Sequence, residues 1–203
     1  MKRCPAGDFG GSFLVIYGTD GLNSRAQARD LLALAATQHW GISPLPEILP
    51  RAGGKPYFPK HPNWEFNLSH SGPLALCALS DAPVGVDIQV IKSWRPNLPN
   101  RVCSPRELAW LEVQNDFWRA FTALWVCKES RVKYTGEGLT TPIRSISIPL
   151  PKPEESLYQL DGLWFRLYSG SGWLGAVCAL SPPPQTIHWV PSPLPAGSAE
   201  IPL

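Results

Sequence analysis

The chain has 203 residues, 44% of them hydrophobic and 17% charged, with a formal net charge of +2. That length suits one compact domain or two small halves, and nine Trp, seven Phe and five Tyr supply more apolar surface than a disordered chain carries. No apolar run approaches the ~18 residues of a membrane helix, no hydrophobic segment follows Lys2 and Arg3 as a signal peptide requires, and 18 Lys/Arg against 16 Asp/Glu without a cluster give no basic face for nucleic acid. A soluble, cytoplasmic protein is expected, with no nucleic-acid or membrane partner. The five cysteines (Cys4, Cys77, Cys103, Cys127, Cys178) are odd in number, widely spaced and lack a C-x-x-C pair, which speaks against a disulfide framework or a zinc site.

Residues 12–17 (Ser-Phe-Leu-Val-Ile-Tyr) read as a strand. Asn23 or Ser24 caps a following helix that carries Ala28, Leu31, Leu32, Ala35 and Ala36 on one face and stops at Gly41. Six prolines over 42–62 make a stiff, irregular connection. Short strands are expected at 66–68 and 74–80 around a turn His70-Ser71-Gly72-Pro73. The strand at Val84 alternates, with Val84, Val86, Ile88 and Val90 on one face and Gly85, Asp87 and Gln89 on the other. Ser104-Pro105-Arg106-Glu107 is a helix start with N-cap, first-turn proline and capping-box acid. A longer helix spans 117–134 and ends at Gly136 and Gly138. Strands follow at 143–148, 163–168 and 174–180. From 182 to 203 the chain has seven prolines and one charge, Glu200, which reads as a tail without regular structure, anchored by Ile187, Trp189 and Val190. The order strand, helix, strands thus occurs twice, and the expected division is 1–82, 83–181 and a tail at 182–203.

Four segments bear chemistry. Asp87 on the polar face of an otherwise buried strand, next to Gly85, is costly unless paired. Taken alone it reads as a strand-end acid satisfied by neighbouring backbone or by an arginine. Trp125, Glu129 and Lys133 are spaced by four and share one stripe of the long helix. Glu129 and Lys133 could there be an ordinary surface pair. Ser69 and His70 are adjacent, which is not how a nucleophile and its base meet, so a serine hydrolase does not fit. Gly53-Gly54-Lys55 could lay a cation against a phosphate. Gly170-Ser171-Gly172-Trp173-Leu174-Gly175 matches the dinucleotide fingerprint in letters only: it opens a strand, and no acid follows at the needed distance, so it reads as a hairpin turn.

In this order, Gly54-Lys55-Pro56, Asn67-Leu68-Ser69-His70-Ser71, Val84-Gly85-Val86-Asp87-Ile88 and Trp125-x-x-Lys128-Glu129-Ser130-x-x-Lys133 resemble the 4'-phosphopantetheinyl transferases, over about residues 25–139. Gly136-Glu137-Gly138-Leu139 adds to the likeness, which is to the larger, monomeric type that activates peptide and polyketide synthetases. The resemblance implies an α+β fold of two pseudo-symmetric strand-helix-strands halves with the active site in the cleft between them. It implies transfer of the phosphopantetheine arm of coenzyme A to a serine of an apo acyl or peptidyl carrier protein, releasing 3',5'-adenosine bisphosphate. It further implies Mg²⁺, or Mn²⁺, on Asp87, Glu129 and Gln89, the last standing where many relatives carry a glutamate. Glu129 and Lys133 would be the catalytic pair. Arg25, Lys55, Ser69, His70, Lys128 and Lys133 would hold coenzyme A. Two other readings are a non-catalytic coenzyme A or carrier-binding module, suggested by Gln89, and a nucleic-acid binder stacking bases on its tryptophans, which lacks the basic groove it needs.

Overall fold

The computed structural model describes residues 13–22, 27–138, 141–192 and 194. The architecture is α+β, with two four-stranded sheets and a helix on the outer face of each. The first sheet is built from β1 (Leu14–Thr19), β4 (Glu65–Ser71), β5 (Leu74–Ser80) and β10 (His188–Val190) in the order β10-β1-β5-β4. Helix α1 (Gln27–Trp40) packs on it through Ala28, Leu31, Leu32 and Ala35. The pair β2 (Leu49–Pro50) and β3 (Pro56–Tyr57) is the only regular piece described in the proline-rich connection.

The second sheet holds β6 (Val84–Val90), β7 (Leu157–Leu160), β8 (Leu163–Gly170) and β9 (Trp173–Ala179) in the order β6-β9-β8-β7. Between β6 and β7 lie α2 (Leu98–Val102), α3 (Pro105–Glu112) and α4 (Phe117–Thr135). The expected capping box is in place: the Ser104 hydroxyl accepts from the Glu107 backbone N–H, and the Glu107 carboxylate accepts from Ser104 N–H. Helix α4 ends on Gly136 in the left-handed region (φ 70°), a conformation glycine adopts without a Cβ penalty.

Strand β5 is buried along its whole length because it is covered on both faces. Ala75, Cys77 and Leu79 meet α1, whereas Leu74, Leu76 and Ala78 join Val84, Val86, Ile88, Val177 and Ala179 in a core shared by the two sheets. A third core gathers Phe121, Leu124, Cys127 and Phe165 under α4. Burial raises the thiols of Cys103 and Cys178 to about 12, so they are protonated and act as small hydrophobic groups.

Three local expectations change. Strand β4 runs to Ser71, so His70 and Ser71 belong to the strand and the turn is confined to Gly72-Pro73. Residues 143–148 are not a strand: Ile143–Ser145 form a 3-10 turn, and the carbonyls of Ile143 and Ile146 point at the Lys128 ammonium instead of at a neighbouring strand. The segment after 182 is not wholly irregular. His188–Val190 pair in parallel with β1, Tyr168 Oη donates to Pro184 O (2.5 Å), and Ile187 and Trp189 lie over Gly18, where a Cβ would come within 2.8 Å of Ile187. The helix caps proposed at Asn23 or Ser24, together with Cys4, Arg25 and Leu139, fall outside the described residues.

Candidate active site

Strand β6 is an edge of its sheet, and β4 is an edge of the other. The two run side by side in the same direction, yet side chains of β4 take the place of a backbone ladder. Val86 N–H donates to Asn67 Oδ1 (2.8 Å), Ile88 N–H to Ser69 Oγ (3.2 Å) and Val90 N–H to Ser71 Oγ (3.0 Å). Lysines satisfy the carbonyls on the same edge: Lys55 Nζ donates to Val84 O (2.9 Å) and Lys133 Nζ to Val86 O (3.2 Å). An unpaired buried peptide group costs free energy comparable to a lost hydrogen bond, so these polar side chains are what allow the edge to be buried.

The α4 face of β6 carries Gly85, Asp87 and Gln89. At Gly85 a Cβ would lie 1.9 Å from Ser130 O and 2.4 Å from Tyr134 N, so only glycine admits the helix backbone onto the strand. That contact brings Glu129 and Lys133 beside Asp87. Asp87 is 2% exposed. Its Oδ1 accepts from Ser69 Oγ (2.6 Å) and from Lys133 Nζ (2.7 Å), while its Oδ2 is buried with no partner among the described residues. Burial and the Asp87 charge push the half-buried Glu129 carboxyl above the usual carboxylate range, with Lys133 opposing. Gln89 accepts from Ser71 Oγ at 3.1 Å. The structure therefore gathers Asp87, Glu129, Lys133, Ser69 and Gln89, and sets the exposed His70 next to Ser69 on β4.

Two of the expected coenzyme A ligands stand elsewhere. Lys128 is fully buried, and its ammonium meets Glu107 Oε2 (3.0 Å), Ile143 O (3.0 Å) and Ile146 O (2.9 Å), which uses all its donors. In this geometry it ties α4 to the start of α3 and has no N–H left for a phosphate. Lys55 is also buried, bonded to Val84 O and Tyr134 O (3.3 Å) with Glu65 Oε2 at 3.8 Å, closing the C-terminal end of α4 against β6. Gly53 makes this possible, since a Cβ there would strike Gly136 O.

Reading the sequence assigned Glu107 only a capping role and missed it as the partner of Lys128, and it assigned no role to Asn67 and Ser71. Asn67, Ser69 and Ser71 alternate, and a polar period of two along a strand is the signal that would have found the two rungs. A separate cavity of about 530 Å3 is lined by Leu174, the register partner of Gln89, and by Arg119, Ala120 and Ala123 of α4, with none of Asp87, Gln89, Glu129 or Lys133 on its wall. Its volume is that of a small-molecule site.

A buried acid with one free oxygen, a second acid alongside and an amide oxygen on the same strand form a hard-oxygen donor set. Among the described residues no group of three or more His, Cys, Asp or Glu side chains is placed to hold a metal ion, and a cation that keeps several waters needs only one or two carboxylates. The site thus fits a Mg²⁺-class ion.

The profile of the 4'-phosphopantetheinyl transferase superfamily matches residues 83–178. A 4'-phosphopantetheinyl transferase of Bacillus subtilis is 34% identical over 163 residues, which is 75% of this chain and 71% of the relative. The 4'-phosphopantetheinyl transferase AcpT of Salmonella typhi is 38% identical over 160 residues, covering 72% and 75%. For 4'-phosphopantetheinyl transferase Sfp of Bacillus subtilis (strain 168) the figures are 33% over 139 residues, 64% of this chain and 61% of the relative. The chain belongs to the 4'-phosphopantetheinyl transferase family. It is an enzyme of the transferase class, and the family's reaction moves phosphopantetheine from coenzyme A to a carrier protein. No helix among the described residues is long and apolar enough to cross a membrane.

Proposed function

We propose that this transferase works with a Mg²⁺-class cation held by Asp87 Oδ2, Glu129 and the Gln89 amide, in the cleft where the edges of the two sheets meet. The observation that carries the reading is the buried Asp87 Oδ2, unpartnered among the described residues, beside a carboxyl that burial and then the Asp87 charge raise. When bound, the cation neutralises diphosphate charge that would repel an oxygen nucleophile.

The chain's own groups do the rest. Lys133, its side chain 26% exposed and locked by Asp87, Ser69 and Val86 O, presents a fixed positive charge at the open side of the site. Glu129 would accept the proton of the carrier serine hydroxyl through the carboxylate oxygen that the cation leaves free, the bound cation opposing the rise caused by burial and Asp87. The serine oxygen forms a bond to the β-phosphorus of coenzyme A as the bond to the bridging oxygen breaks, and 3',5'-adenosine bisphosphate leaves with that oxygen. Positioning is the main contribution such a site makes to phosphoryl transfer.

The halves 1–82 and 83–181 are related in this reading. In each, a first strand precedes a helix and a hairpin whose second strand inserts beside the first, as β1-β5-β4 and β6-β9-β8. Two halves in one chain place the cleft within a monomer, and the protein acts in the cytoplasm.

Incubation with coenzyme A, Mg²⁺ and an apo carrier protein should add one phosphopantetheine to the carrier serine, read by intact mass. Chelation of the metal should stop the reaction, and Asp87→Ala should slow it by at least about 100-fold. Full activity in Asp87→Ala would remove the cation assignment. Coenzyme A binding without transfer to any carrier would make the protein a binding module.

A further inference from the structure

Residues 183–192 and Leu194 touch the two halves in turn. On the second half, Arg166 Nε donates to Pro183 O (2.7 Å) and Tyr168 Oη to Pro184 O (2.5 Å), both from β8. On the first half, β10 pairs with β1, Thr19 Oγ1 donates to Val190 O (3.0 Å), Ser192 Oγ donates to Gly21 O (3.2 Å), and Leu194 is buried in the α1 core. Between these two sets of anchors, Ile187 packs against the core shared by the sheets, and the Trp189 ring lies 5.5 Å from that of Trp173 on β9.

Strand β10 is the edge of the first sheet farthest from β4, and β8 lies two strands from β6 in the second. The sheets are thus joined along one side by the β4–β6 seam and along the other by this crossing segment. The apolar core between them holds them together without fixing a direction, so sheets joined at the seam alone are free to hinge about it. Between Pro184 and His188 the chain takes four residue steps, which reach at most about 14 Å, against the about 10 Å that separates packed sheets. The crossing therefore has little slack, and Pro183 and Pro184 stiffen its start. We propose that residues 183–192 with Leu194 are a strap that sets the angle between the two sheets, and with it the alignment of the groups that face each other across the seam. The bonds from Asn67, Ser69 and Ser71 to Val86, Ile88 and Val90 N–H run between the halves, whereas the β4–β5 and β8–β9 ladders each lie within one half. Loosening the strap strains the first set and spares the ladders.

Amide hydrogen exchange followed by NMR on the full chain tests this without any ligand, because it reads the opening of each backbone bond separately. Ile187→Ala combined with Trp189→Ala should speed exchange at Val86, Ile88 and Val90 by about 10-fold or more beyond any change in the β4–β5 and β8–β9 ladders. Leu31→Ala, a deletion in the α1 core away from the strap, is the control for lost stability. There the seam amides should accelerate no more than the β4–β5 ladder. Thr19→Val combined with Tyr168→Phe removes one hydroxyl anchor at each end with little change in volume. It should shift the seam in the same direction by a smaller factor, and it keeps the test open if the alanine pair does not fold. Seam and ladder amides that accelerate by equal factors in the strap variants overturn the proposal, since the segment would then be ordinary packing. A second arm rests on the cleft reading above: coenzyme A with Mg²⁺, bridging the halves, should return seam protection to the strap variants. A wild-type protein whose seam gains no protection from coenzyme A and Mg²⁺ overturns that cleft reading, while the ligand-free comparison still decides the strap.

Discussion

Lys128 offers a sharp choice, because its place in the family's motif suggests coenzyme A binding and its surroundings require something else. Replacing it with Met keeps much of the side-chain volume and helix propensity while deleting the charge. The substitution strands the Glu107 carboxylate, which is buried and keeps only Ser104 N–H at 2.6 Å among the bonds described, and it removes the donor from the carbonyls of Ile143 and Ile146. Breaking a buried ion pair from one side costs about 3–5 kcal/mol, chiefly for the uncompensated charge. For a chain of this size each kcal/mol lowers the melting temperature by about 2–4 °C, so Lys128→Met should melt roughly 6–20 °C below wild type.

The double variant Lys128→Met with Glu107→Gln isolates the cause. Its amide oxygen can still accept from Ser104 N–H, so the helix cap survives while the stranded charge is gone. At least about half of the lost stability should return, the remainder being the two carbonyls left without a donor. The assays are urea and thermal unfolding followed by tryptophan fluorescence, alongside the KM for coenzyme A. A Lys128→Met protein that melts like wild type and shows a raised KM for coenzyme A would refute the structural assignment and restore the phosphate contact.

Two further outcomes follow from the same contacts. Gly85→Ala places a methyl 1.9 Å from Ser130 O, so α4 must lift off β6; overpacking of this kind costs about 1–3 kcal/mol, and a raised Mn²⁺ requirement should accompany the lower melting point, whereas an unchanged metal requirement would show that the contact does not set the site. His39 is exposed at the end of α1 but sits against Phe13 and Tyr17 with His188 across Tyr17, and partial desolvation, then the His188 charge, lowers its pKa from the ordinary value. Because the folded state holds that proton less tightly than the unfolded chain, stability is untouched above about pH 6.5 and is lost as pH falls through the window below it. Melting curves from about pH 8 to pH 5 should show a steeper acid-side decline in wild type than in His39→Gln; parallel curves would refute the assignment.

The parts of the fold that sequence made legible are those whose physics is local. The alternation from Val84 to Val90 predicts β6 and its two faces because the side-chain period of a strand is set by its own backbone, and both faces are where expected. The capping box at Ser104 and Glu107 and the stop at Gly136 are likewise local. What escaped was decided by distant partners. Residues 143–148 have strand propensity, but one lysine on α4 claims two of their carbonyls and prolines follow. The role of Lys128 itself was illegible, since spacing alone cannot say whether a helical lysine faces a cleft or a buried acid. His188–Val190 became a strand because β1 had a free edge and Gly18 left room for Trp189.

The candidate site shows the same division at finer scale. Asp87, Gln89, Glu129 and Lys133 could be grouped because two strict periodicities, two along the strand and four along the helix, place each pair on one face. That the two faces meet depends on Gly85, whose missing Cβ is visible in sequence only as a permission. The Asn67, Ser69 and Ser71 rungs are further removed, since they answer a backbone edge that exists only once both sheets have formed. A bond of this kind contributes about 1 kcal/mol net, so three rungs do little against the apolar core shared by the sheets. Their effect is directional. An apolar interface of two sheets tolerates sliding by fractions of an ångström, whereas a cation site does not tolerate a misplaced acid. Hydroxyls and an amide at the seam convert a non-directional contact into a fixed register, and that register puts one oxygen of Asp87 where nothing among the described residues satisfies it.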